Sequence, residues 1–484
     1  MSIQEKDVQS PLDEHHQPKS FARRLATWGV ELRGIEPVSV EERTDTQYNK
    51  ICWVFCSSNL TILTFSAGSL GPAVFGLNVA DSCIVIVTVI LFCAIFPAYF
   101  ATWGASLGMR QMVLARYSFG YYGVIVPCVL NLLGVFGFSA ANCIVGGQAL
   151  ASVTNGHLSW TVGIIIFTLI SVIVSFFGYK FLHWYERIAW IPILATFIVI
   201  LGLGGKHLGN PSPLTPITVS AILGFAGTQA GLMIAWAGYA ADYATYLQPY
   251  GTSRRIFLYA YAGLAMPTIF TGCIGAAIAG VAGSVPSWND AYAGGNVGGL
   301  LNAVLEPAGD FGKFLTVILS FSVAANLAST FYSSSLNFQV IIPRLVVVPR
   351  YVFTLITAAI VLAISIVGAH RFYTAISNFL GLFGYWVAVF VSVLLIEHLI
   401  FRSNNFVDYD TDAWNVPGRL PSGLAAIGCG FLTFGLVVPT ISQVWFTGPI
   451  ARTTGDLGFE VALVLSALLY LPLRWLEIKV AGHL

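Results

Sequence analysis

Twelve stretches of this 484-residue chain are apolar over about the length that crosses a bilayer. They run near 51–77, 80–107, 121–152, 159–179, 184–204, 216–241, 255–283, 311–338, 349–369, 372–401, 421–447 and 458–480. Hydrocarbon offers no partner to a backbone N–H or C=O, so a spanning segment satisfies both within itself, as a helix. The pattern predicts an all-α polytopic membrane protein with twelve crossings. Composition enters only as a check. With 56% hydrophobic and 9% charged residues, there is too little charge to coat a soluble particle of this size. The formal net charge of +1 implies no polyanionic partner, nucleic acid included.

Basic residues orient the crossings. With both termini inside, the outer segments hold Lys206, Lys313, Arg371 and Arg452, and the remaining 19 of the 23 Lys and Arg fall on the inner side. Short cytoplasmic loops carry such an excess. The organisation expected is a polar tail over 1–50 without a cleavable signal, then a ten-helix core over 51–401. A cytoplasmic loop over 402–420, two further helices within 421–480 and a cytoplasmic end at 481–484 complete it. Within the tail, Val38 to Asp45 reads as a short interfacial turn. The loop at 403–420 carries Asp408, Asp410 and Asp412 and reads as solvated. The longest outer loop, Ser284 to Asp310, is rich in Gly and Asn and is placed to cover an outer vestibule. The eight cysteines all lie in apolar runs without metal spacing and read as free thiols.

One run is locally at odds with a straight helix. Ala67-Gly68-Ser69-Leu70-Gly71-Pro72 sits inside the first crossing. Glycine costs about 1 kcal/mol and proline about 3 kcal/mol against alanine in a helix interior. Either the helix breaks at Gly68, Gly71 and Pro72 and exposes backbone to a ligand, or small residues there allow close helix packing. The sixth run, Gly224 to Asp242, carries four glycines ending at Gly238, with Trp236 at its centre. If the first ten helices are two five-helix repeats, about 51–204 and 216–401, the two interrupted runs hold corresponding positions. That offset points to a binding site between the repeats.

Polar groups at membrane depth face the bundle interior, because hydrocarbon penalises them. Asn142 shares a helical face with Phe138, four residues earlier. Asn326 stands in the eighth run. Two amides with Phe138 and Trp236 can hold a flat heterocycle, rings against its faces and amides along its edge. Each asparagine taken singly is equally an interhelical hydrogen bond. Glu186, in His183-Trp-Tyr-Glu186-Arg187, is the most deeply placed carboxylate. It is either a partner of Arg187 or Lys180, or a proton-coupling group with its neutral form favoured by burial. Asp242 and Glu397 lie nearer helix ends and read as structural. No nucleophile elbow, phosphate loop or metal-ligand set is visible, so no enzyme activity, cofactor or metal is expected.

Gly108-Met109-Arg110 with Ala115-Arg116-Tyr-Ser-Phe-Gly120 resembles the loop signature of the nucleobase–cation symporter-1 family. Ser66-Ala-Gly68-Ser-Leu-Gly71-Pro72, Trp236-Ala-Gly-Tyr-Ala-Ala-Asp242-Tyr and Tyr185-Glu186-Arg187 resemble its fungal purine–cytosine permease branch. The likeness runs from about residue 30 to near the end. It implies a LeuT-like fold of five plus five inverted-repeat helices with two more at the C-terminal end. It further implies a plasma-membrane symporter that moves cytosine and purine nucleobases (adenine, guanine, hypoxanthine) with protons. Carried over by position, the family's substrate site falls on Ser66, Phe138, Asn142, Trp236 and Asn326, and its helix-five acid on Glu186. The sequence departs from the pattern at Phe138, where a tryptophan is usual, and at Ala328-Ser329, where a proline is expected. Sodium-coupled relatives carry adjacent Ser and Thr hydroxyls two turns before the helix-eight asparagine. The matching pair here is Ser320-Phe321, one oxygen ligand short, which favours protons. Allantoin, uracil, uridine or vitamin B6 transport, or a receptor that binds without translocating, are the alternatives.

Overall fold

The computed structural model describes residues 34–482, save 155–156, 177, 210–215, 250–252, 343, 346–347, 349 and 444; for the rest of 174–186 and for 350, only the backbone is described. The chain is helical nearly throughout. In order the helices are α1 (Lys50–Asn59), α2 (Ile62–Ala73), α3 (Val79–Cys93), α4 (Ile95–Leu107), α5 (Gln111–Phe119) and α6 (Ile125–Val153). There follow α7 (Trp160–Phe176), α8 (Gly178–Gly204), α9 (Val219–Ile234), α10 (Ser253–Ala282), α11 (Pro286–Tyr292) and α12 (Val297–Leu305). Last come α13 (Gly309–Ile341), α14 (Arg350–Gly368), α15 (Phe372–Ile396), α16 (Leu424–Val437), α17 (Ala451–Thr454) and α18 (Gly458–Ala481). A two-stranded antiparallel ribbon, β1 (Ser442–Gln443) and β2 (Phe446–Thr447), links α16 to α17.

Helix covers each of the twelve apolar runs. Among the described residues, eight helical segments are long and apolar enough to cross a membrane, or nine with the bent pair α1–α2 taken as one span. Two shorter apolar helices, Trp160–Ile173 and Leu424–Thr440, accompany them.

The first crossing is broken, but not at Gly68, Gly71 and Pro72 as the alternative of a break there required. All three lie within α2. The glycines serve close packing: a Cβ at Gly68 would strike the Gly272 carbonyl of α10, and one at Gly71 would strike Ser82 and Phe225. Pro72 forfeits one bond, its N–H to the Gly68 carbonyl, and the helix ends one residue later. The 52° bend falls instead at Leu60-Thr61. Thr61 is extended and caps α2, its hydroxyl accepting from Thr64 N.

Two segments read as loops are helical instead. The segment after α4, which carries the loop signature, is no loop. It forms α5, and Arg110 and Arg116 are buried. Arg110 donates to the Asp242 carbonyl at 2.8 Å, and Gln111 N to the Asp242 carboxylate at 2.8 Å. Arg116 donates to the Trp414 carbonyl and to Asn415, which ties the stretch 403–420 to α5, while its Asp408, Asp410 and Asp412 are exposed to solvent. There Tyr117 donates to the Asp410 carbonyl, and Tyr409 and Ala413 are buried. The segment 284–310 contains the helices α11 and α12, and its Tyr292 hydroxyl meets Tyr373 of α15, which also meets Ser69 of α2. The cysteines are free thiols.

At the end of α15, Glu397 is enclosed by cations. Arg474 of α18 reaches its carboxylate at 2.8 and 3.0 Å, Arg402 at 3.2 Å, and the Tyr470 hydroxyl at 2.9 Å. The N-terminal segment caps α4: Arg43 donates to the carbonyls of Ala105 and Ser106. Val38 to Asp45 thus includes a short 3-10 turn, Val40–Glu42, and then a cap.

Candidate functional site

The bend between α1 and α2 is the centre of a buried polar network. In an unbroken helix, Ile62 N would donate to the Ser58 carbonyl, four residues back. That bond is missing, and α13 supplies both substitutes. The Ser322 hydroxyl accepts from Ile62 N at 3.1 Å, and the Asn326 amide donates to the Ser58 carbonyl at 2.8 Å. Ser322 and Asn326 stand one turn apart, so the two fall on one face of α13. Backbone groups that would be costly orphans in hydrocarbon are thereby paired.

From Asn326 the network extends to α6. Asn142 Nδ2 donates to Asn326 Oδ1 at 2.9 Å and to its own helix at Phe138 O, also 2.9 Å. Both hydrogens of the Asn142 amide are spent. Its Oδ1 is buried and has no donor among the described residues. Asn326 Nδ2 carries two hydrogens and makes one bond of this network, to Ser58. Below them Thr330 donates to the Asn326 carbonyl at 2.5 Å and receives a hydrogen bond from Ser139 of α6.

The aromatic wall comes from three helices. α9 gives way at Ala235–Gly238 to a tighter turn, and Tyr239 separates this from a second one, Ala240–Tyr243. Gly238 closes the first turn, and its carbonyl accepts from Asn131 of α6. Trp236 within it is 3% exposed, and its indole N–H donates to Asn59 Oδ1 at 3.1 Å. Phe55 and Tyr239 meet the indole edge-on, at 5.3 and 5.1 Å. Phe138 of α6 meets Phe379 and Phe383 of α15 edge-on at 5.0 and 5.5 Å. Those two rings occupy the room left by Gly137 and Gly134.

Of the residues singled out from the sequence, Asn142 and Asn326 are in direct contact. Trp236 joins them through Asn59, the neighbour of Ser58 at the bend. Phe138 is tied in through its carbonyl. Ser66 is buried but turned on its own helix, donating to Ile62 O at 2.8 Å. Ser320 likewise donates within α13, to Val317 O, and Phe321 lies against Phe167, 41% exposed. Glu186 is in α8, and its side chain lies outside the described residues. The sequence reading missed Ser58, Asn59 and Ser322. A signal existed: Ser57-Ser58-Asn59-Leu60-Thr61 is a polar cluster with helix-capping types inside an apolar run.

Near the far end of α2 is a second polar recess of about 270 Å³, lined by Phe75, Thr228, Asn378, Gln443 and Asp456. Asp456 accepts there from the Tyr385 hydroxyl at 2.5 Å, from Gln443 at 3.1 Å and from Gly458 N at 2.9 Å. Burial pushes its carboxyl above the usual carboxylate range, against the pull of these hydrogen bonds.

Comparison with known proteins identifies the architecture. A family profile described as a permease for cytosine/purines, uracil, thiamine, allantoin matches residues 37–459. Over 470 residues the chain is 35% identical to the purine-cytosine permease fcyB of Emericella nidulans, across 95% of this chain and 91% of that protein. Over 523 residues it is 27% identical to the vitamin B6 transporter TPN1 of Saccharomyces cerevisiae, across 96% and 90%. The fold superposes on Mhp1, a nucleobase-cation-symport-1 family transporter in a closed conformation with bromovinylhydantoin bound. The TM-score is 0.71 over 93% of this chain and 97% of that one, at 17% identity. The fold is therefore the LeuT-like fold of an all-α membrane transporter. The chain belongs to the family of permeases for cytosine/purines, uracil, thiamine and allantoin, whose members are transporters and not enzymes.

Proposed function

We propose that this chain carries cytosine and the purine bases adenine, guanine and hypoxanthine into the cell with protons, by alternating access. The observation that carries the reading is the amide pair. Asn142 offers a buried, unfilled acceptor, and Asn326 beside it has donor capacity in reserve. An acceptor next to a donor complements an N–H next to a ring nitrogen. Cytosine and purines present such edges, and an unpaired buried acceptor gains about 1–3 kcal/mol from finding its donor. Trp236, fixed by Asn59 and its aromatic neighbours, supplies a flat face for stacking. The greater identity to a purine-cytosine permease than to a vitamin B6 transporter favours the same substrates.

Proton coupling rests on two points. Phe321 stands where a second hydroxyl would help ligate sodium. Glu186 is a carboxylate in α8 that burial would tune toward neutral pH. Twelve crossings, read from the apolar runs, both termini cytoplasmic, read from the charge split, and residence in the plasma membrane, implied by the family likeness, complete the proposal.

The test is uptake of labelled cytosine in cells lacking their own nucleobase permeases, with and without a proton uncoupler. Uncoupler-sensitive accumulation, competed by purines, is expected. Binding without accumulation would establish a receptor and refute transport. Tags on the termini with protease protection in sealed cells test the orientation; an externally accessible N-terminus refutes it. The second reading, a permease for allantoin, uracil, uridine or vitamin B6, is favoured by Phe138, which lacks the indole its purine-cytosine relatives are expected to present. Competition by uracil, uridine, allantoin and pyridoxine separates the two readings.

A further inference from the structure

Three contacts fix the register of α6 against α13. A Cβ at Gly146 would lie 2.9 Å from the Val323 side chain, Asn142 bonds Asn326, and Ser139 bonds Thr330. Each step back along α6 is matched by a step forward along α13, so the two helices are antiparallel. Carried about two turns further, this register sets Asn131 level with Asn337. Asn131 stands eleven residues before Asn142, and Asn337 eleven residues after Asn326. Eleven residues are close to three helical turns, so the second pair falls on the same helix faces as the first, about 16 Å along the seam.

The two asparagines are unsatisfied in complementary ways. Asn131 is 0% exposed and Asn337 3%. Asn131 Oδ1 has no donor, and Asn337 Nδ2 has no acceptor, among the described residues. Buried amide groups without partners are costly, and an occupant with a donor beside an acceptor relieves both. The polarity repeats that of the first pair, with the open acceptor on α6 and the spare donor on α13. Asn131 Nδ2 meanwhile donates to the Gly238 carbonyl, which ties it to the tight turn that carries Trp236. Between the pairs the seam stays polar. Thr330 and Ser333 share the face of Asn326 and Asn337 on α13. The Tyr243 hydroxyl donates to the Ser329 carbonyl at 3.1 Å and lies 3.4 Å from the Ser333 hydroxyl.

We propose that Asn131 and Asn337 form a second site for the transported base, occupied after it leaves Asn142 and Asn326. The base would then be on its way to the end of the seam where α6 begins, cytoplasmic in the proposed orientation. The inference rests on the proposed function: the ligand is again a flat heterocycle with an N–H beside a ring nitrogen. The N–H meets Asn131 Oδ1, and the ring nitrogen accepts from Asn337 Nδ2. Both residues are enclosed here, so the base enters when α6 and α13 part at that end. Its arrival pairs two groups that closure leaves unpaired, so binding and opening favour each other.

The experiment is photolabelling of the full-length protein in open membrane fragments, where both faces meet the probe. The probe is radiolabelled azidoadenine, a purine that attaches to neighbouring side chains on illumination, and modified peptides are located by mass spectrometry. Label is expected at two places, around Asn142 and around Asn131 or Asn337, and excess adenine should remove both. Asn131→Ala and Asn337→Ala should each lower the second label about tenfold and leave the first. The first label reports folding of each variant, and the wild-type map needs no variant at all. Label around Asn142 alone in the wild type would overturn the second site. Parallel loss of both labels in variants of wild-type yield and unfolding midpoint would make the two asparagines structural and overturn it too. No adenine-protected label at either place would refute base binding itself, and the proposed function with it.

Discussion

The bond between Asn142 and Asn326 can be measured as a coupling. Asn326→Ala removes two hydrogen bonds, one to the Ser58 carbonyl and one from Asn142. It strands the Ser58 carbonyl, whereas Asn142 keeps its bond to Phe138. One orphaned buried acceptor costs about 1–3 kcal/mol, so a loss of about 2–3 kcal/mol is expected. Asn142→Ala strands only Asn326 Oδ1, on a half-buried residue, and should cost about 1–2 kcal/mol. The shared bond is lost in both single variants but only once in the double. The double should therefore fall short of the sum by about 0.6 kcal/mol, and by no more than about 1.7 kcal/mol, the range for polar pairs inside helix bundles. Equilibrium unfolding of purified protein in sodium dodecyl sulfate, run on all four proteins, gives the cycle. Additivity within about 0.3 kcal/mol would refute a direct bond between these amides. The same variants report on the substrate. If the Asn142 acceptor holds the base, Asn142→Ala should weaken apparent affinity roughly ten- to hundredfold. Unchanged affinity in correctly folded protein would remove it from the site.

Glu397→Gln should destabilise by about 3 kcal/mol, because it leaves buried Arg402 without its anion and Arg474 with Glu477 alone; near wild-type yield and unfolding midpoint would contradict this. Asp456 lies outside the spanning segments, and burial raises its folded-state pKa. Its contribution is thus full at low pH and is lost as pH rises through the folded value, and Asp456→Asn should flatten that part of a stability profile taken from pH 4 to pH 8. A profile of the same slope in the variant would assign the dependence elsewhere. Glu186→Gln should still bind and exchange substrate, yet fail to accumulate it and lose most of the pH dependence of uptake. Full uncoupler-sensitive accumulation by that variant would rule out Glu186 as the proton carrier.

What could be read from sequence followed from energetic cost. Asn142, Asn326 and Trp236 stood out because amides and an indole at membrane depth need partners, and partners lie in the interior. The family likeness and the LeuT-like architecture were legible for the same reason: loop signature and interrupted runs mark where backbone and charge are constrained. Of the two alternatives for Gly68, Gly71 and Pro72, close packing holds and the break does not. Propensity scales penalise Gly68, Gly71 and Pro72 wherever they occur, yet here the penalty is outweighed by contacts with Gly272, Ser82 and Phe225 that only tertiary packing creates. The true bend at Leu60-Thr61 is marked by capping chemistry, which an apolar-run reading passes over. The burial of Arg116 and Tyr409 was likewise hidden. The charge of Arg116 looks solvated until a segment 298 residues away in sequence supplies a carbonyl for it.

The exchange of hydrogen bonds at the bend makes the first crossing a helix with two stable spellings. The Ser58 carbonyl and the Ile62 amide are natural mates, kept apart by Asn326 and Ser322. Withdraw α13 and those mates can rejoin, straightening α1 into α2 with both backbone groups still paired, one hydrogen bond replacing two. A shift of one scaffold helix would then be converted into a swing of half a crossing. Asn326 is also the residue that meets Asn142 and, in the proposed function, the base. Whatever binds there competes for, or reinforces, the clasp that holds the bend open. Occupancy of the pocket and the angle of the helix would thus be two readings of one equilibrium.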